Sequence, residues 1–186
     1  MPQTADQADD HYIITSFKAA HLKDTAFTQL VTKYQERLYW HIRRMVITHE
    51  DTNDVLQNVF IKVWRNLNNF REESNLYTWL YRIATNETLS WLDQLKRHVT
   101  TSTTGNEDYM SERLTAQADF DPSKIEWKLQ RAILTLPEKQ RLVFNLRYYD
   151  EMPYEEMATL LGTSTGALKA SYHHAVKKVE ASLLSH

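Results

Sequence analysis

The sequence predicts an all-α protein built as two small helical domains joined by a flexible linker. Three observations predict it. Backbone breakers are scarce, with 3 Gly and 4 Pro in 186 residues, which disfavours a turn-rich β-sandwich or barrel. Apolar residues recur at three- and four-residue spacing in separate blocks, the mark of amphipathic helices. Between those blocks the charge shifts: residues 1–97 carry 12 basic and 12 acidic side chains, residues 98–122 carry 1 and 5, and residues 123–186 carry 9 and 7. The middle run, HVTTSTTGNEDYMSERLTAQADFDP, is also rich in Ser and Thr. Such composition buries too little apolar surface to offset its ordering entropy. The predicted organisation is therefore a domain at 1–97, an acidic linker at 98–122 and a domain at 123–186.

In the first domain, Phe27, Leu30, Val31, Tyr34, Leu38, Ile42 and Met45 line one helix face. A second helix is expected from an Asp51 or Thr52 N-cap, burying Leu56, Phe60, Val63, Trp64 and Leu67. A third runs from about Ser74 to Lys96, burying Trp79, Leu80, Ile83, Ala84, Leu92 and Leu95. Short polar joints favour antiparallel packing of these neighbours.

The second domain opens with a stripe of Ile125, Leu129, Ile133 and Leu136, and Pro137 starts a helix carrying Leu142, Val143, Leu146 and Tyr149. After Asp150–Pro153 comes a helix with Met157, Ala158, Leu160 and Leu161 apolar. Gly162 closes it. Ser164 or Thr165 caps a last helix that buries Leu168, Tyr172, Ala175, Val176 and Val179. Two helices about a tight Gly-containing turn form the helix-turn-helix pattern. By itself that pattern is compatible with DNA binding and equally with a plain bundle.

Other classes are excluded by what is missing. The chain has no cysteine, so it can form neither a disulfide nor a thiolate metal site. Its first ten residues, MPQTADQADD, lack the basic and apolar regions of a signal peptide, and no apolar run approaches the ~18 residues of a membrane span. A soluble, cytoplasmic protein without direct membrane contact is expected. The adjacent pair His173-His174 lacks the i, i+4 spacing of a helical zinc pair. Glu155 and Glu156 open a helix, where carboxylates suit the positive N-terminus. With no nucleophile and base pair or phosphate loop, the expectation is no enzyme, no metal and no cofactor.

Two stretches together resemble one family. The run DVLQNVFIKVWRNLNNFREESNLYTWLYRIATNETLSWL is similar to region two of bacterial sigma factors. The run LPEKQRLVFNLRYYDEMPYEEMATLLGTSTGALKASYHHAVKKVEASL resembles their region four. Their order and the short linker resemble the extracytoplasmic-function (ECF) group, which keeps only these two domains. The resemblance implies a dissociable RNA polymerase subunit that recognises promoters and starts their melting. Its implied partners are core RNA polymerase, through the β′ clamp and β flap, and promoter DNA, with an anti-sigma factor a common further partner in the group.

The resemblance also implies roles for residues. Asp54, Gln57, Asn58, Ile61 and Arg65 match the face that docks on the clamp, and an apolar Ile61 in a polar stripe suits a partner-covered surface. Phe70, Asn75, Tyr77, Arg82 and Asn86 match the loop and helix that read the single-stranded minus-ten element. There an extruded base needs an aromatic face and amide edge partners. Glu72 and Glu73 would repel phosphate and are expected to point away or to help select the base. Lys169, Ser171, His173, His174 and Lys177 match the helix that enters the major groove at the minus-thirty-five element. The family tends to place arginines near positions 171 and 174. Here Ser171 and His174 stand instead, which weakens the electrostatic grip and leaves the preferred sequence open. The linker, with Glu107, Asp108, Glu112, Asp119 and Asp121, is implied to thread into polymerase near the RNA path.

The alternative is a stand-alone helix-turn-helix regulator that binds palindromic operators as a homodimer. A more distant rival is an all-helical adaptor that binds only protein. Co-elution with core polymerase, against self-association alone, separates the first rival. The net charge of -2 implies that the free chain binds duplex DNA poorly, since few phosphates are neutralised.

Overall fold

The computed structural model describes residues 5–100, 106–116, 121 and 124–184. Among them the α-helices, in chain order, are α1 (Ala5–Lys18), α2 (Lys23–Val46), α3 (His49–Asn66), α4 (Leu76–Thr100) and α5 (Asn106–Thr115), followed by α6 (Ile125–Leu134), α7 (Glu138–Tyr148), α8 (Tyr154–Leu161) and α9 (Thr165–Leu184). Single 3-10 turns occur at Ala20–Leu22 and Leu67–Asn69. No strand occurs among the described residues.

Helices α2, α3 and α4 are the predicted three-helix core. α2 buries Leu30, Tyr34, Leu38, Ile42 and Met45 as its periodicity requires. α3 starts earlier than expected, because Thr48 and not Asp51 or Thr52 is its N-cap. The Thr48 side chain accepts the Asp51 amide at 3.2 Å, and an acid three residues after the cap makes a capping-box variant. The buried face of α3 is centred on Thr52, Val55, Val59 and Val63. The predicted Leu56, Phe60 and Trp64 form its half-buried flank. That flank is aromatic, with Trp64 edge-on to Phe17 of α1 at 5.3 Å and to Phe27 of α2 at 4.9 Å.

The sequence reading contains no α1. Among its described side chains the buried apolar ones are Ile13, Ile14 and Phe17, too few to stand out as a stripe. A buried polar clasp holds it: the Tyr34 hydroxyl lies 2.7 Å from both Asp10 carboxylate oxygens, and the Lys33 ammonium donates to one of them at 2.8 Å.

The linker expectation is corrected over α5. Asn106–Thr115 is helical, with Met110 and Leu114 buried in the main core and Arg113 paired to Asp51 at 2.7 Å. Averaged polarity conceals this i, i+4 apolar pair, which is enough to dock one short helix. Of the five linker acids, Asp119 lies outside the described residues, as do the side chains of Glu107 and Asp108, while Glu112 is exposed.

In the second half, α8, the turn at Gly162–Ser164 and α9 form the predicted helix-turn-helix. Gly162 adopts φ 63° at the C-cap of α8, a left-handed conformation that glycine takes without a Cβ penalty. Ser164 accepts the Ala167 amide at 3.3 Å and caps α9. Ile125, expected on a buried stripe, is 61% exposed. It opens α6 one turn outside the cluster that joins Leu129 and Ile133 to Val176 and Val179.

The two halves do not sit apart as separate compact units. Leu142, Leu146, Met152, Met157 and Leu160 share one buried core with Leu38, Met45 and Leu80. α2 packs on α7, and α4 packs on α8.

Candidate nucleic-acid and polymerase interfaces

On α3, the residues opposite Val55, Val59 and Val63 are Asp54, Gln57, Asn58, Ile61 and Arg65. All five are exposed. Ile61 is 42% exposed, a branched apolar side chain among polar neighbours. Near the start of this helix, Trp40 of α2 is also exposed and lies edge-on to Tyr39, whose hydroxyl hydrogen-bonds with His49 at 2.8 Å. Trp40 is absent from the sequence expectations above, although its three- and four-residue neighbours Glu36, Arg37, Arg43 and Arg44 are all charged and mark its face of α2 as outward.

The five minus-ten candidates are not gathered on one open surface. Phe70 is 6% exposed, with its ring 5.1 Å from that of Trp79. It is a core residue of the loop. The expectation that it presents a free stacking face is therefore corrected for this conformation. Asn75 is exposed, but its side-chain oxygen accepts the Thr78 amide at 2.7 Å and so caps α4. Phe70 and Asn75 line a common hollow with Asp10, His11, Glu72 and Leu76. Glu72 turns away from α4 toward α1, at 3.3 Å from His11 and 3.9 Å from Lys18, with φ 58°. Glu73 is exposed, 3.9 Å from Arg71.

Tyr77 is half-buried, 4.3 Å from the Tyr81 ring. Burial is the main cause that pushes its hydroxyl up to about 12, and the Asp150 and Glu156 carboxylates of the second half add to the rise. Tyr81 is raised further by the same cause. Arg82 donates to the Thr159 carbonyl of α8 at 2.9 Å. Asn86, one turn on, is exposed.

On α9, Leu168, Ala175 and Val179 face inward. Lys169, His173, His174 and Lys177 are exposed on the outer side, whereas Ser171 is half-buried at the edge. Helical geometry puts residues 169, 173 and 177 on one line, so Ser171 is not part of the outward face. Two ammonium groups and two imidazoles are a thin positive surface for a groove-binding helix. Among the described residues, no three His, Asp or Glu side chains are grouped to hold a metal ion.

Residues 30–98 match Sigma-70 region 2, and residues 126–179 match Sigma-70, region 4. The RNA polymerase sigma-H factor of Pseudomonas aeruginosa is 33% identical over 166 residues, spanning 85% of this chain and 86% of that protein. The chain belongs to the sigma-70 family, in its extracytoplasmic-function group. The ECF RNA polymerase sigma-E factor of Escherichia coli K12 is 29% identical over 184 residues, 95% of each chain. In fold, the chain is similar to CnrH, solved in complex with the cytosolic domain of CnrY, with a TM-score of 0.68 at 21% identity. That likeness covers 95% of this chain and 98% of the other.

The chain is thus an RNA polymerase sigma factor that directs core polymerase to promoters and initiates DNA melting. A homodimeric helix-turn-helix regulator would leave the region 2 match at residues 30–98 without a purpose. Core polymerase and promoter DNA are the partners of this ECF factor.

Proposed function

We propose that this sigma factor divides its work among three faces: α3 grips the polymerase clamp, the Phe70–Asn86 region of the loop and α4 reads the melted minus-ten strand, and α9 reads the minus-thirty-five duplex. The observation that carries the first assignment is the α3 stripe, whose five residues are all exposed with Ile61 at its centre. A single exposed apolar side chain is ordinary on a protein surface, so the reading is supported by the five exposed positions lying together on α3 within the residues 30–98 that match Sigma-70 region 2. The factor works as a non-catalytic subunit in the cytoplasm, where its polymerase is. An anti-sigma partner is supported by the fold relative RpoE of Bartonella quintana, solved with the anti-sigma factor NepR.

The test is Asp54→Ala combined with Gln57→Ala. Both side chains are exposed, so helicity and melting temperature stay within ~1 °C of wild type, as surface changes usually do. Affinity for core polymerase, measured by co-elution or fluorescence titration, falls at least about tenfold. Unchanged binding would remove α3 from the interface.

The α9 assignment gives a salt prediction. Lys169→Ala weakens closed-complex binding on every template that depends on the distal element, and it lowers the slope of log affinity against log salt by about 1. His174→Ala weakens the same complex. A gel shift across a salt series reads both, and an unaltered slope for Lys169→Ala would place that ammonium away from phosphate.

A further inference from the structure

The outward face of α9 is short of permanent charge. The helix contains no arginine, and its ammonium groups are Lys169, Lys177 and Lys178. Lys169 lies over the Tyr154 ring of α8 at 5.6 Å, and Lys178 donates to the side-chain oxygen of Gln140 on α7 at 3.1 Å. Between these ammonium groups stand His173 and His174, both exposed, with ring centroids 6.1 Å apart. The line of residues 169, 173 and 177 puts the first imidazole one helical turn from a lysine on either side. The second is three positions from Lys177 and four from Lys178.

Nothing anionic in the free chain is set against either ring. From Thr165 to Val179, α9 carries no acid, and its one carboxylate, Glu180, lies about two turns beyond His173. Helices α6, α7 and α8 pack on α9. Their carboxylates are Glu126, Glu138, Glu155 and Glu156. Glu138 is paired with Lys96 of α4 at 2.6 Å, and Glu156 lies 3.4 Å from the Thr78 hydroxyl. Among the described residues, none of the four makes an ion pair with His173 or His174. Histidine is the side chain that changes charge between pH 5 and 8. A proton on either ring therefore finds its anionic partner in a bound ligand, and a DNA groove is lined with phosphates.

We propose that His173 and His174 make the grip of this sigma factor on minus-thirty-five duplex proton-linked: each ring takes up a proton from solvent as it meets a DNA phosphate, so acid strengthens the closed complex. The inference rests on the assignment of α9 to that duplex and names how the site is regulated. Its sign follows from linkage. The complex holds more protons than the free partners, so its formation gains as pH falls and loses as pH rises. Each imidazolium that neutralises a phosphate also releases counterions, so acid steepens the salt dependence.

The experiment uses core polymerase with the full chain and a promoter fragment recovered by its run-off transcription. A gel shift of the closed complex across a salt series is read at pH 8 and at pH 6. The reference is His173→Gln combined with His174→Gln, which keeps polar side chains at both exposed positions without a titratable charge. Dividing wild-type affinity by that of the reference cancels the pH dependence of polymerase and DNA. The ratio is near one at pH 8 and rises by about ten- to a hundredfold at pH 6. The slope of log affinity against log salt steepens over the same interval by about 1–2 in wild type. His173→Arg combined with His174→Arg carries the charge at both pH values, so its advantage over the reference is already present at pH 8.

A ratio that is the same at pH 8 and pH 6 overturns the proton linkage, because the rings then meet DNA uncharged or not at all. Failure of the α9 assignment shows separately. Lys169→Ala would then leave the salt slope unaltered at both pH values, which removes the whole face from phosphate and the linkage with it.

Discussion

Phe70→Ala lowers the stability of the first domain by about 3–5 kcal/mol, the usual cost of deleting a buried aromatic ring. The ring is 6% exposed and lies 5.1 Å from that of Trp79, and the Phe70 amide donates to the Leu67 carbonyl at 3.1 Å. Where the loop opens to admit an extruded base, as the proposed minus-ten reading requires, the same substitution also impairs promoter opening, since stacking of such a base on an aromatic face is worth ~1–3 kcal/mol. The two effects separate by experiment. Calorimetry reads the first, and permanganate reactivity of melted thymines, normalised to closed complex in a gel shift, reads the second. A base that is still stacked in duplex cannot reach Phe70, so closed-complex formation by the folded fraction stays near wild type. Phe70→Leu keeps most of the buried volume but no aromatic face, so it recovers stability without recovering opening. Should Phe70→Leu open promoters normally, Phe70 is core and nothing more.

Tyr34→Phe costs about 1.5–3 kcal/mol, the range for a hydrogen bond to a charged group. The Tyr34 hydroxyl is the donor nearest the buried Asp10 carboxylate, at 2.7 Å from both oxygens. Removing it leaves Asp10 with the Lys33 ammonium at 2.8 Å, and the carboxylate stays within a site that is 8% exposed. The loss concentrates on α1, because Asp10 is its polar anchor while Ile13, Ile14 and Phe17 supply the apolar contact. Limited proteolysis therefore cuts within α1 faster in the variant, and amide exchange in residues 9–18 speeds up before that of α3. If α1 exchanges as in wild type, its packing against α2 and α3 holds it without the clasp.

Much of the architecture was legible in the sequence. The three-residue and four-residue recurrence of Leu30, Tyr34, Leu38 and Ile42, and of Leu168, Ala175 and Val179, determines which faces are inward, because helical geometry converts spacing directly into direction. Gly162 and Ser164 determine the turn of the helix-turn-helix, since its left-handed residue and its N-cap are local demands. The exposed α3 stripe followed by the same reasoning. The two quoted runs carried the family, which the matches at residues 30–98 and 126–179 bear out.

What tertiary structure alone decided lies where residues distant in sequence compete for the same space. Phe70 reads as a ligand-facing aromatic until Trp79 and the loop enclose it. Met110 and Leu114 read as incidental within an acidic stretch until the core takes them in. Asp150 reads as one acid in a joint between helices, and only folding brings it to His41 and Arg44, more than a hundred positions earlier. Periodicity reports the direction a side chain takes from its own helix, which is a local property. Which surface meets it depends on how whole helices share a common core, and no window of sequence contains both partners of that contact.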